Sequence, residues 1–169
     1  MTKANKKDTN DGSKSNNNKL TETTKDNKYD DDLTPDEQEY IQSLLKPVSE
    51  NGPVGKDPLM MTSSTDYDTK TAMNAKDWLK AISIIEKAII GEQKNLKIAT
   101  WLLECLINKY SFRGAFIGLY IFNELFDKFW NDFYPQGQAE KESSHVRYFD
   151  YINNNLIHQI KMLPITDIN

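Results

Sequence analysis

Histidine and cysteine are the side chains most often used for metal binding and nucleophilic chemistry, and this chain has few of them. It contains two histidines, His145 and His158, and one cysteine, Cys105. A metal site needs several such ligands close together, and no His, Cys or carboxylate grouping with ligand spacing occurs here. Cys105 lies among apolar residues with no basic neighbour in the sequence, so we interpret it as a small core residue rather than a reactive thiol.

Two short motifs resemble functional sites but lack the rest of their patterns. Asp66-Tyr-Asp68 resembles the opening of a calcium-binding EF-hand loop, but Thr71 stands where that loop needs its turn glycine. Ser43-Leu-Leu-Lys46 matches the Ser-x-x-Lys motif of acyl-transfer enzymes, but its partner motifs are missing. No glycine-rich phosphate-binding loop is present. The sequence therefore predicts no catalytic, cofactor or metal site, and no enzyme.

Composition narrows the choice of partners. The 169 residues carry 21 Lys and Arg against 25 Asp and Glu, a net charge of −4, which argues against nucleic-acid binding. The single cysteine excludes an internal disulfide. The longest apolar run, Gly114 to Phe122, is too short to span a bilayer, and the polar N-terminus shows no secretion signal. We therefore expect a cytoplasmic protein, in which the Gly114-x-x-x-Gly118 spacing serves close packing between helices.

The N-terminal segment differs from the rest of the chain. Residues 1–32 are rich in Asn, Lys, Asp and Thr, and only six residues of the apolar set occur in the first forty. Such a segment cannot bury enough apolar area to offset the entropy of ordering. We therefore expect a disordered tail over 1–32 and a folded domain over 33–169.

The first three helices are predicted from caps and apolar spacing. Thr34, Pro35 and Glu37 predict a capping box at the start of a helix that ends before Pro47. Residues 46–73 are predicted to be a long connection, because they contain three prolines and two glycines. A second helix is predicted from about residue 74 to 91, and a third over about 94–109. The third should be mostly buried, with one polar stripe formed by Lys97, Thr100, Glu104 and Asn108.

Two further helices complete an all-α prediction of about five helices. A turn over 110–114 leads to a fourth helix over about 115–133, whose first half is apolar on all sides and is therefore predicted to be central. The fifth helix is predicted to begin at Ser144, with His145 at its start, and to end at Pro164. Its inward face is predicted to hold Phe149, Ile152, Leu156, Ile160 and Leu163.

Seven short motifs follow one another between residues 45 and 166. They are Pro47-Val-Ser49 with Pro53, Gly55 and Asp57; Asp77-Trp78; Lys94 to Leu102, with Leu96 and Trp101; Gly114 with Gly118-Leu119; Phe129-Trp130 with Tyr134-Pro135; Arg147; and Leu163-Pro164-Ile-Thr166. In this order they resemble the ImpA-related N-terminal domain of TssA-type proteins of bacterial type VI secretion. Asn95 and Lys97 depart from the family's Asp and Arg at these positions.

The resemblance implies a cytoplasmic assembly role without catalysis, through contacts with baseplate, tube or sheath components. The Pro/Gly-rich loop is the candidate partner-binding surface, through Pro47, Ser49, Pro53, Gly55 and Asp57, since recognition is often carried by firmly held loops. The other motif residues are interpreted as structural. An alternative is a stand-alone helical adaptor or effector-like protein with an unrelated partner. Members of the family usually continue into a C-terminal oligomerising region, which the sequence up to Asn169 does not show, so we expect a monomer or weak dimer. The sequence is compatible both with a short paralogue and with a fragment of a longer protein.

Overall fold

The computed structural model describes residues 32–49, 52–57, 64–134 and 138–164, and in these ranges the chain is all-α, as the sequence predicts. The elements are α1 (Pro35–Leu44), α2 (Ser64–Asn74), α3 (Trp78–Gly91), α4 (Leu96–Phe129), α5 (Gln138–Tyr151), a π-helical segment (Ile152–Leu156) and α6 (Ile157–Lys161). The predicted disordered tail, apart from Asp32, lies outside the described residues.

The start of α1 has the predicted capping box. The Thr34 hydroxyl accepts from the Glu37 backbone N–H at 3.3 Å, and Glu37 Oε2 accepts from the Thr34 N–H at 2.8 Å. These two bonds satisfy donors that a helix start otherwise leaves unpaired. Ile41 and Leu44 face the core, so α1 is stabilised at its N-terminus by the cap and along its buried face by apolar packing.

The predicted long connection over 46–73 is wrong in its second half, where α2 occupies Ser64–Asn74. This helix has a weak apolar pattern because its buried positions are Thr65, Thr69 and Ala72. The second predicted helix was also placed too early. It begins at Trp78 with Asp77 as its N-cap, after a break at Lys76, whose φ is 56°.

Helix α4 is a hairpin of two limbs. Its backbone leaves helical geometry at Ser111 (φ 53°, ψ −132°), so 96–110 form an N-terminal limb and 112–129 a C-terminal limb. The predicted five-residue turn is therefore a reversal at one residue. A Cβ on Gly114 would lie 1.9 Å from the Leu106 carbonyl oxygen, and one on Gly118 would lie 2.7 Å from Leu103 Cδ1. The glycines thus let antiparallel limbs touch, which confirms their predicted packing role.

The N-terminal limb, rather than the predicted 115–133 helix, is the more deeply buried. Leu96, Leu103 and Cys105 are fully buried in it, whereas Leu119 on the C-terminal limb is 38% exposed. Thr100 is buried too, contrary to the predicted polar stripe, because its hydroxyl donates to the Leu96 carbonyl oxygen at 2.7 Å. This internal bond lets a polar side chain occupy a core position.

Helix α5 and the segments after it pack on the C-terminal limb. The Phe149 ring meets Phe122 and Phe126 edge-on, with centroids 5.9 and 5.6 Å apart. The predicted inward face of this helix is confirmed: Ile152 and Leu156 are buried, and Phe149, Ile160 and Leu163 pack against the core. Its predicted start at Ser144 is wrong, because α5 begins at Gln138.

No helix in the described part of the chain combines the length and the apolar character that crossing a membrane would require.

Candidate interaction site

The Pro/Gly-rich loop after α1 closes on itself through short-range bonds. The Val48 N–H donates to the Pro53 carbonyl at 3.0 Å, and the Gly55 N–H donates to the Gly52 carbonyl at 2.9 Å. The Ser49 hydroxyl also donates to the Gly52 carbonyl, at 3.3 Å. These bonds hold the described residues of the loop, 47–49 and 52–57, in a compact arrangement.

The same loop is docked on the junction between α3 and α4. The Lys94 N–H donates to the Val54 carbonyl at 2.7 Å, and the Lys56 N–H donates to the Glu92 carbonyl at 3.3 Å. Val54 is buried between these bonds. Gly55 has φ 79°, and a Cβ there would lie 2.1 Å from the Glu92 carbonyl oxygen, so only glycine fits.

The structure leaves all five predicted loop residues at least partly accessible to solvent. Pro47 and Ser49 are exposed, and Pro53, Gly55 and Asp57 are partly exposed. Lys56, which sequence reasoning did not select, is also exposed. Its place between two motif residues was the available signal.

Beneath the loop, Lys94 is 1% exposed and joins the C-terminal ends of two helices. Its ammonium group donates to the Leu44 carbonyl of α1 at 2.9 Å and to the Ile89 carbonyl of α3. Both carbonyls lack their usual helical donors, because the Val48 N–H bonds to Pro53 and the Gln93 N–H bonds to Ala88. Lys94 therefore caps two helices at once, where the helix dipoles favour a cation.

A second lysine and an aromatic ring complete this arrangement, which we name the lysine clip (Lys94, Lys128 and Phe129). The Lys128 ammonium donates to the Leu45 carbonyl at 2.9 Å. Both ammonium groups lie near the Phe129 ring, 5.7 and 5.6 Å from its centroid. Burial, and then repulsion from Lys128, lowers the pKa of Lys94 to about 8. Sequence reasoning did not identify the clip, since lysine is ordinarily a surface residue.

The remaining motif residues are mostly placed in the helical frame. Leu96 is fully buried, while Trp78, Trp101 and Trp130 are half-buried against the core. The Trp101 ring has the ammonium groups of Lys97 and Lys70 at 5.3 and 5.6 Å from its centroid. Trp101 thus packs against the core and also contacts two cations over its ring.

The other motif residues lie in α5 or next to helix ends, and buried His145 contacts one of them. The Tyr134 carbonyl accepts from His145 Nε2 at 3.1 Å. His145 is buried inside α5, rather than at a helix start as predicted. Exposed Arg147 stacks on Tyr148 with 4.8 Å from its guanidinium carbon to the ring centroid. Pro164 follows the last helical turn, and Pro135 lies outside the described residues.

Several of the groups considered for chemistry are engaged in contacts within the fold. The Ser43 hydroxyl donates to the Tyr40 carbonyl at 2.6 Å, and Asp66 pairs with Lys97. Burial raises the pKa of Cys105 to about 12, which keeps its thiol protonated. Over the described ranges, no three His, Cys, Asp or Glu side chains are grouped so as to hold a metal ion.

These features define a class of protein, an all-α domain with a helical hairpin and a surface loop docked on the junction that precedes it. The family model "ImpA, N-terminal, type VI secretion system" matches residues 45–154, and the chain belongs to this family. The resemblance inferred from the seven motifs is therefore confirmed.

A solved structure provides a comparison of the fold. The "N-terminal domain including the conserved ImpA_N region of the TssA component of the type VI secretion system from Burkholderia cenocepacia" matches with a TM-score of 0.67 at 23% identity. The match covers 75% of this chain and 51% of the solved chain, so the shared fold spans about half of that solved domain. A search of curated proteins gave no match.

Proposed function

We propose that this protein is a non-enzymatic component of a bacterial type VI secretion system that acts in the cytoplasm by binding other proteins. The partners we propose are baseplate, tube or sheath components, and the role is in assembly of the baseplate and tail sheath. Membership of the ImpA N-terminal family supports this proposal. An adaptor for an unrelated partner is the alternative against which it is tested.

The observation that carries the proposal is the docked loop. Its backbone is bonded to the α3–α4 junction on one side, while Pro47, Ser49 and Lys56 are exposed on the other. A surface that is already fixed loses little conformational entropy on binding, so more of the contact energy appears as affinity. We therefore propose that this loop contacts the partner, and we expect the isolated protein to be a monomer or weak dimer.

Co-purification from the cells that encode the protein tests this role. Affinity-tagged wild type is expected to recover baseplate, tube or sheath proteins. Lys56→Glu reverses an exposed charge on the loop and is expected to reduce recovery at least about fivefold, as for a charge at an interface rim. Lys80→Glu makes the same change at an exposed position on α3 and is the matched control, expected to recover wild-type amounts.

A glycine pair tests whether loop geometry matters. Gly55→Ala forces a Cβ against the Glu92 carbonyl, whereas Gly91→Ala meets nothing within 4 Å. We expect only Gly55→Ala to reduce recovery, with the helical circular dichroism of both variants retained. Recovery of unrelated proteins alone would favour the adaptor alternative. Equal recovery by both lysine variants would exclude the loop as the contact surface.

A further inference from the structure

A second surface feature lies away from the loop, between α1, α3 and the reversal of α4. It is a groove of about 470 Å³. Its floor is aliphatic, formed by Ile82, Leu106 and Ile117, and its sides include Tyr40 and Tyr110. Tyr110 is 48% exposed, so the groove opens to solvent. An open apolar groove of this kind is typical of a site that takes an apolar side chain from a partner.

The charge of the groove is negative, and the side chains that the structure describes do not balance it. Arg113 pairs with both carboxylate oxygens of Glu37 and also donates to the Asp32 carbonyl at 3.0 Å. The positive charge of Arg113 is thus paired with the carboxylate of Glu37. Asp36 on α1 and Glu86 on α3 remain, and no side-chain cation within the described ranges bonds to either of them.

The groove's own polar groups do not favour a small molecule. The Tyr40 hydroxyl donates to Glu86 at 2.7 Å, and Arg113 Nε and Nη2 donate to Glu37 and to the Asp32 carbonyl. Small-molecule sites carry several convergent polar groups that orient the ligand. Here the Tyr40 hydroxyl and two of the Arg113 nitrogens are already bonded within the chain, and the lining otherwise offers an apolar floor and the carboxylates of Asp36 and Glu86.

We propose that the groove binds a segment of another protein that presents an aromatic or branched aliphatic side chain beside a lysine or arginine. The apolar side chain occupies the floor, and the cation lies between Asp36 and Glu86. This inference rests on the proposed function for one point only, that the occupant is a protein.

A random 15-residue peptide library displayed on phage, selected on the immobilised full-length chain, tests the proposal. The enriched peptides are expected to share an apolar anchor next to Lys or Arg. Affinity of the strongest peptide, measured by fluorescence polarisation, is expected to fall at least about tenfold for Asp36→Lys and for Glu86→Lys, because each places like charges together. Glu86→Gln should reduce the affinity for the peptide less than Glu86→Lys does, and the affinity of wild type should fall at raised ionic strength.

Glu39→Lys is the matched control, since Glu39 is exposed on the same helix and does not line the groove. It is expected to bind the peptide as wild type does. Circular dichroism of each variant checks that the fold is retained.

Four results would overturn the proposal: no enriched peptide, enriched peptides without a cation, equal weakening by Glu39→Lys and Glu86→Lys, or displacement of the peptide by a synthetic copy of residues 1–31. Self-association of the chain that is lost in Glu86→Lys would instead make a second copy the occupant. Because the assay uses peptides rather than secretion components, its failure is distinguishable from failure of the loop co-purification.

Discussion

Replacing Lys94 with methionine tests the claim that one buried ammonium group caps two helices. Methionine keeps a long, unbranched apolar side chain, so the change mainly removes the donors. The Leu44 and Ile89 carbonyls then lose their bonds to Lys94, and the backbone N–H groups that would replace it are bonded elsewhere. Lys94→Met thus isolates the hydrogen bonds from the packing.

The expected cost follows from two charge-assisted hydrogen bonds. Each contributes on the order of 1.5–3 kcal/mol net, so Lys94→Met is expected to lower the free energy of unfolding by about 3–6 kcal/mol. Lys128→Met is the matched control. Lys128 makes one such bond, to the Leu45 carbonyl, and its side chain is exposed, so about 1 kcal/mol is expected.

Urea denaturation of the two variants and of wild type, followed by circular dichroism, gives the three free energies. A loss below about 1 kcal/mol for Lys94→Met, or equal losses for both variants, would refute the capping argument. Two bonds to otherwise unpaired carbonyls must contribute more free energy than one exposed bond.

The comparison of wild type with Lys94→Met also tests the pKa of Lys94 through the pH dependence of stability. The pKa of Lys94 is lowered from 10.5 to about 8 in the folded chain. Between these values the unfolded chain holds a proton that the folded chain has released, so the free energy of unfolding of wild type rises with pH. The difference between wild type and Lys94→Met should therefore widen from about pH 7.5 to about pH 9.5. A constant difference would contradict the lowered pKa.

Four further predictions concern other parts of the chain. Arginine pairing lowers the pKa of Glu37 to about 2, so the carboxylate's stabilisation is present above pH 4.5 and lost as pH falls through 2. Glu37→Gln should cost about 1 kcal/mol at neutral pH, since the pair is partly exposed, and the cost should shrink in acid titrations. Gly114→Ala should destabilise by about 3 kcal/mol or more in urea, because the limbs must separate, whereas Gly91→Ala should be near neutral. Trp130→Ala should lower the free energy of unfolding, measured by denaturation, by roughly 3 kcal/mol, the low end for a large aromatic residue, because the ring is half-buried. Unchanged stability with lost partner binding would instead show that Trp130 is an exposed anchor for a partner. Removal of residues 1–31 should leave the melting temperature within a few degrees, and a larger fall would show that the tail packs.

Local signals in the sequence were sufficient for the helices whose ends depend on their own residues. The capping box at Thr34 and Glu37 is a property of a few adjacent side chains, so it could be interpreted without the fold. The Gly114 and Gly118 spacing likewise predicted close helix packing. By contrast, α2 was missed because threonine and alanine fill its buried positions, and only packing against α3 gives this segment its core face.

By itself the sequence determined the all-α class, the family resemblance and the residues of the candidate loop. The tertiary structure alone decided that the predicted turn is confined to Ser111, that Lys94 is buried, and that the loop is docked on the α3–α4 junction. The physical reason is the range of the interactions. Caps and apolar periodicity act within a turn or two of one helix. Lys94 instead joins carbonyl groups on α1 and α3, one of which is 50 residues away. No pattern within one segment encodes where the unpaired carbonyl of another segment will lie.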